Sequence, residues 1–213
     1  MVFGSFNYLL LSILIGYSFG NINPSFAFAK RKGYDARVDG SGSAGASNAL
    51  ILAGKKAFFI SALLDIAKSF WACRICRRLF PGLIVLELVG GVACILGHMF
   101  PVLLRFRGGK GLACLGGVAL SWNWKIFLVL FLLAILIAFV TNYVCFVAPF
   151  MSAVFPGLYY WKERFLAGAL ILMIPIIPIF LKHRVNFQRI LNGTEARFSY
   201  LWNKDEELKR LGR

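Results

Sequence analysis

Acidic residues are scarce in this chain. Nine Asp and Glu stand against 24 Lys and Arg in 213 residues, and there are only two histidines. No paired carboxylates, no cluster of metal-ligating residues and no Ser-His-Asp arrangement can be assembled from the order of residues, so hydrolytic chemistry has no obvious machinery. No metal and no cofactor are expected. The five cysteines, Cys73, Cys76, Cys94, Cys114 and Cys145, are odd in number and irregular in spacing, which excludes a disulfide framework. Cys73-x-x-Cys76 lacks a second pair or a neighbouring His and reads as two small hydrophobes. Lys and Arg are absent before Lys30, so the apolar N-terminus lacks the basic start of a cleaved signal peptide and reads as a retained first span. No internal repeat is evident, which argues against a transporter.

What is present is apolar. Hydrophobic residues make up 59% of the chain and charged ones 15%, against roughly 25% charged in soluble domains. They gather into blocks of membrane-spanning length separated by short basic clusters, the pattern of a polytopic helical membrane protein. The net charge of +15 sits at the ends of those blocks, where it sets topology and meets anionic lipid rather than nucleic acid.

The blocks run about Phe6 to Ala29, Ala57 to Cys73, Leu79 to Leu104, Leu112 to Trp122, Ile126 to Thr141, Cys145 to Trp161 and Phe165 to Leu181. They predict an all-α fold of about seven transmembrane helices, N-terminus outside and C-terminus cytoplasmic. Most Lys and Arg then fall inside, in line with the positive-inside rule; Arg74, Arg77 and Arg78 are the awkward exception. Residues 1–198 form the membrane domain, and 199–213 a short amphipathic cytoplasmic tail with a Glu206–Arg210 pair.

Two glycine-rich loops reach the same face by this count. Gly40-Ser41-Gly42-Ser43-Ala44-Gly45-Ala46-Ser47-Asn48 precedes a helix starting near Ala49. Such a loop is either a flexible linker or a cradle whose N–H groups converge on an anion. Arg107-Gly108-Gly109-Lys110-Gly111 adds fixed positive charge, but its spacing is not that of a Walker A loop. It is either a basic loop contacting lipid or the cationic half of a phosphate site. His183 and Asn186 share a helix face on the same side, and Glu195 after a Gly-Thr turn is a helix cap or a site group. Asp65 and Lys68 form an i,i+3 pair inside a span. His98 reads as a structural histidine at a helix end, and Glu87 has no evident partner. Residue types alone suggest transfer between a water-soluble phosphate compound and a lipid-soluble one at the interface.

The motifs, taken together, resemble a family. Gly40–Asn48, Gly-His-Met-Phe-Pro at 97–101, Phe-Arg-Gly-Gly-Lys-Gly at 106–111, His-Arg-x-Asn at 183–186 and Gly-x-Glu-x-x-Phe at 193–198 resemble the PlsY-type acyl-phosphate:glycerol-3-phosphate acyltransferases of bacteria. The resemblance implies a bacterial inner-membrane enzyme that moves a fatty acyl group from acyl phosphate, not acyl-CoA, to the 1-hydroxyl of glycerol 3-phosphate. Lysophosphatidic acid and phosphate would be the products. It implies acyl-phosphate binding around Ser41, Gly42, Ser43, Gly45, Ser47 and Asn48. It implies a glycerol 3-phosphate site at Lys110, His183 and Asn186, with Arg107, Gly108, Gly109 and Glu195 contributing. Membrane lipid and a soluble acyl-phosphate-producing enzyme are the implied partners. The attacking hydroxyl loses its proton either to the donor's own leaving phosphate or to His183.

The chain departs from the family pattern in places. Ile51 stands where an Arg is expected, Cys145 and Ala148 where serines are, and Ser69 where a Gly follows the Asp-x-x-Lys motif. Loss of an arginine from a phosphate site costs roughly 1.5–3 kcal/mol of charge-assisted hydrogen bonding, unless a cation such as Lys55 or Arg107 substitutes. A catalytically silent relative serving as a membrane interaction protein is the alternative these departures raise; a small transporter is a weaker one.

Overall fold

The computed structural model describes residues 2–210, and every regular element among them is helical. In chain order these are α1 (Val2–Asn21), α2 (Pro24–Arg31), α3 (Ala46–Ala53), α4 (Lys55–Leu79), α5 (Ile84–Met99), α6 (Leu112–Trp122), α7 (Trp124–Thr141), α8 (Val147–Glu163), α9 (Leu166–Met173), α10 (Ile176–Leu191) and α11 (Lys204–Arg210). Four segments are long and apolar enough to cross a membrane by length and composition: Ile84–Leu104, Trp124–Thr141, Val144–Glu163 and Leu166–Leu191. α6 is a shorter apolar helix.

The apolar blocks and the helices coincide with informative differences. The first block is broken after Asn21, because Asn23 turns its side chain onto the Phe26 N–H and caps α2, with Pro24 in the first turn. The last block is likewise divided between α9 and α10 at Pro175. α3 begins at Ala46, three residues ahead of the expected start, because Gly45 already takes extended geometry as its N-cap. The second block does not stop at Cys73; α4 carries on past its three arginines to Leu79.

Packing follows side-chain size. Gly16 and Gly20 of α1 lie against Gly90, Cys94 and Gly97 of α5, and a Cβ on Gly20 would come within 2.7 Å of the Gly97 Cα. Without side chains at these points the two backbones meet directly, the small-residue packing that joins helices in lipid where burial of apolar surface gives no advantage. α4 then packs on α1, α5 and α6, and one apolar core runs through Ile95, Val118, Phe155, Leu172 and Ile179. α7 is largely exposed along its length, as a helix facing lipid should be.

Charges inside the bundle are tied. Lys68 Nζ lies 2.7 Å from Asp65 Oδ1 and donates to His98 Nδ1 at 2.9 Å and to the Ile22 carbonyl at 2.7 Å. The ammonium thereby holds the α1–α2 break against α4 and α5. His98 is the structural histidine expected, buried in the last turn of α5, but Glu87 is not partnerless. Ser121 donates to Glu87 at 2.9 Å, and Arg77 stands 3.6 Å from it.

In the tail, the expected Glu206–Arg210 pair is replaced. Arg210 pairs with Glu207 one residue nearer, while Glu206 accepts from Asn203. The boundary drawn at 198 falls inside a 3₁₀ turn, Phe198–Leu201, whose Phe198 and Trp202 rings pack on Phe139 of α7. Met1, at the start of the expected membrane domain, and residues 211–213, at the end of the expected tail, lie outside the described residues.

Candidate active site

The first glycine-rich loop is not a slack linker. Asn48, buried on α3, reaches back with both ends of its amide. Nδ2 donates to the carbonyls of Ala36 at 3.1 Å and Asp39 at 3.0 Å, and Oδ1 accepts from the Ser41 N–H at 2.7 Å. Gly40 and Gly42 take positive φ, of 65° and 72°, to make the turns. Asn23 adds a 2.9 Å bond to the Ala44 carbonyl. Gly45 caps α3 with no side-chain acceptor, which leaves first-turn N–H groups free to meet an anion.

The second loop folds back over the end of α5. The N–H of Gly108 bonds the Met99 carbonyl at 3.2 Å and that of Gly109 the His98 carbonyl at 3.0 Å. A Cβ on Gly109 would run into the His98 ring, so the loop lies flush with the helix only as glycine. The two loops also touch, since a Cβ on Gly45 would sit 3.7 Å from the Gly109 Cα.

Lys110 leaves this second loop and donates to Asn186 Oδ1 at 2.6 Å, while Asn186 Nδ2 donates to Glu195 Oε1 at 2.5 Å. Gly193, at φ 72°, ends α10 and turns the chain back. The N–H groups of Thr194 and Glu195 both return to the Arg189 carbonyl, which brings Glu195 under Asn186. Burial lowers the Lys110 pKa against the opposing pull of Glu195. His183, buried one turn before Asn186, bonds the Ile179 carbonyl through Nδ1 at 2.8 Å. A carbonyl only accepts, so Nδ1 carries a proton, and in the neutral ring Nε2 keeps its lone pair.

Two cavities meet here. One, of about 290 Å³, is mainly apolar and runs from Ser41, Ser47 and Lys110 to Ala119, Phe127 and Phe155 among α4, α6, α7 and α8. The other, of about 260 Å³, is more polar and is bounded by Lys110, His183, Asn186, Arg189, Thr194 and Glu195. Ser41, Ser47, Phe58, Lys110, Leu112 and Val144 border both.

The expected site residues therefore divide. Ser41, Ser43, Gly45, Ser47, Asn48, Lys110, His183, Asn186 and Glu195 gather around the two cavities. Gly42 borders neither. Gly108 and Gly109 are buttresses against α5, and Arg107 is exposed outside both spaces. Asn48 spends its amide on holding the loop rather than offering it to a ligand. Ile51 borders the polar cavity, but neither Lys55 nor Arg107 does; the cations that do, besides Lys110, are Arg197 and Arg189, whose Nη1 lies 3.3 Å from the Ser41 carbonyl.

Arg189 and Lys182 went unassigned in the sequence. Lys182 donates to the Met99 carbonyl at 2.5 Å, reaches the Gly108 carbonyl at 3.4 Å and stands over the Phe100 ring. At the end of an apolar block such a lysine reads as a topology signal. Arg189, however, is three residues after Asn186, and that spacing carries the clue. Asp65, His98 and Cys114 also come together, with ligand atoms within 4.8 Å of one another. That cluster was invisible in the sequence, and the Lys68 ammonium occupies the place beside Asp65 and His98 that a cation would take.

Comparison with known proteins shows which family the chain falls in. A family model described as glycerol-3-phosphate acyltransferase matches residues 10–193. A glycerol-3-phosphate acyltransferase of Finegoldia magna is 37% identical over 196 residues, covering 90% of this chain and 98% of that one. One of Coxiella burnetii is 38% identical over 191 residues, covering 87% and 96%. Among solved structures, the integral membrane glycerol 3-phosphate acyltransferase PlsY in its glycerol 3-phosphate form superposes with a TM-score of 0.82 at 30% identity, covering 91% of this chain and 96% of that one. Its lysophosphatidic acid form gives 0.78 at 29% identity, covering 89% and 94%. The chain belongs to the glycerol-3-phosphate acyltransferase family of membrane proteins, of the PlsY type.

Proposed function

We propose that this chain transfers a fatty acyl group from acyl phosphate to the 1-hydroxyl of glycerol 3-phosphate, forming lysophosphatidic acid for phospholipid synthesis. The observation that carries the proposal is the meeting of an apolar and a polar cavity at Ser41, Ser47 and Lys110. An acyl chain fits the first, a small phosphorylated polyol the second, and the reacting carbonyl belongs at their junction. Binding of glycerol 3-phosphate and of lysophosphatidic acid is described for the solved relatives and supports the assignment here.

In this reading the phosphate of the donor sits at the free N-terminus of α3, among Ser41, Ser43 and Ser47, where N–H groups and the helix dipole favour an anion. Lys110 and Arg189 receive the phosphate of the acceptor. Asn186, oriented by Glu195, and His183 line the acceptor's glycerol part. The 1-hydroxyl oxygen attacks the acyl carbonyl carbon, the bond from that carbon to the phosphate oxygen breaks, and inorganic phosphate leaves. The hydroxyl proton passes to that phosphate or to the Nε2 lone pair of His183. The cationic side chains act where negative charge develops, which is where electrostatic catalysis gains most.

The seven-span arrangement goes with the same reading: N-terminus outside, both glycine-rich loops and the C-terminal segment on the cytoplasmic face of a bacterial inner membrane. That face meets both glycerol 3-phosphate and a soluble enzyme supplying acyl phosphate. Purified protein in mild detergent, labelled glycerol 3-phosphate and either acyl phosphate or acyl-CoA provide the test, with Lys110→Ala as control. Product from acyl phosphate alone, lost in the control, is expected. Absence of product from both donors, with the protein folded, would overturn the assignment.

A further inference from the structure

The segment that roofs the polar cavity is held by a residue far down the tail. Arg210 of α11 donates through Nη1 to the Gly193 carbonyl and through Nη2 to the Glu195 carbonyl, both at 2.6 Å. Its Nε donates to Glu207 Oε2 at 2.9 Å, and Glu207 Oε1 accepts the Arg197 N–H at 2.8 Å. One guanidinium and one carboxylate thus fasten the backbone at 193, 195 and 197. Between these anchors Glu195 orients Asn186, and Asn186 holds Lys110. The base of the tail is pinned separately. Asn142, at φ 58° after α7, accepts the Phe198 N–H at 2.7 Å on its carbonyl and the Ser199 N–H at 3.0 Å on its side chain.

We propose that Arg210 and Glu207 are positioning residues for the polar half of the site, a clamp that fixes Glu195 and through it Asn186 and Lys110. Arg210 and Glu207 lie beyond residues 10–193, the part matched by the family model. The inference rests on the acyl transfer proposed above. The guanidinium suits the task because its planar fork spans two carbonyls at once and cannot lose its proton. A lysine reaches only one of them. Glu207 is held below its ordinary pKa chiefly by Arg210, so the clamp stays charged through the neutral range.

Arg210→Ala, Arg210→Lys, Glu207→Ala and Glu195→Ala in the full chain, and the double variant Arg210→Ala/Glu195→Ala, provide the test. Steady-state kinetics with acyl phosphate would be joined by hydrogen exchange at the amides of 195–199. Arg210→Ala is expected to raise the KM for glycerol 3-phosphate about tenfold while the KM for acyl phosphate holds, since coupled contacts are worth this order. Arg210→Lys should recover part of the loss. The double variant should be no worse than Glu195→Ala alone, which removes the acceptor of Asn186 Nδ2, because both act through one chain of contacts. Exchange should speed up at Arg197 but not at Phe198 or Ser199, whose anchor is Asn142. An unchanged KM for glycerol 3-phosphate in Arg210→Ala, additive losses in the double variant, or an equal fall for both substrates would overturn the clamp. Wild-type protein without turnover would instead overturn the proposed function.

Discussion

Lys110 and Asn186, 76 positions apart, meet through a 2.6 Å hydrogen bond that joins the second glycine-rich loop to α10. The bond places a cation at the mouth of both cavities while Glu195 fixes the far side of the same amide. Burial lowers the Lys110 pKa, so the charge on which the proposed phosphate binding relies is lost at lower pH than for an ordinary lysine. The kcat/KM for glycerol 3-phosphate should therefore decline on the alkaline side earlier than an unperturbed lysine dictates. In Lys110→Arg, whose charge does not titrate there, the alkaline limb should move up in pH even where the maximum rate falls. A pH–rate profile of both proteins checks this, and coincident alkaline limbs would refute it.

Asn48 is a matter of stability. Asn48→Ala leaves the Ala36 carbonyl and the Ser41 N–H without their partner and removes one of two bonds to the Asp39 carbonyl, which keeps the Gly42 N–H. A loss of about 2–3 kcal/mol is expected, read as a lower melting temperature in detergent and faster exchange at the Ser41 amide. Ser47→Ala, at an exposed position, should leave the melting temperature unchanged.

Ile51 borders the polar cavity. Ile51→Arg adds a guanidinium to the cavity that Arg189 and Arg197 already border and should lower the KM for glycerol 3-phosphate, by up to the roughly 1.5–3 kcal/mol of a charged hydrogen bond. An unchanged KM would show that Arg189 already serves as the cation there.

Ala119 tests the apolar cavity. It lines the far part, seven residues along α6 from Leu112, or about 10 Å. Ala119→Phe should shift the preference toward shorter acyl phosphates, at about 0.8 kcal/mol for each methylene excluded. Competition between donors of two chain lengths reads the shift. Retained preference for long chains would place the acyl group elsewhere.

Much of the fold was legible in the chain. Apolar blocks bounded by basic clusters mark the helices because backbone groups in lipid must be satisfied within the segment. Asn23-Pro24 marks the break between α1 and α2, because proline fits the first turn of a new helix; the break at Pro175 went unread in a block that reads as continuous from Phe165 to Leu181. The site was half legible. Lys110, His183, Asn186 and the serines of the first loop stand out by residue type and local spacing. Asn48 as a staple, Arg107 as a bystander and Arg189 at the cavity were not readable, because direction and depth of a side chain depend on what packs around it.

By itself, then, the sequence determined that the chain is helical, membrane-embedded and equipped with two glycine-rich loops beside a His-x-x-Asn face. Those properties follow from hydropathy and spacing, which are local. Only the tertiary structure decided that Lys68 fills the space among Asp65, His98 and the end of α1, that two cavities share Lys110, and that Arg210 reaches the carbonyls beneath Asn186. Each of these joins residues from separate helices. Such partners are chosen by packing geometry, in which a glycine's missing side chain or a lysine's reach settles which groups come within a hydrogen bond of each other.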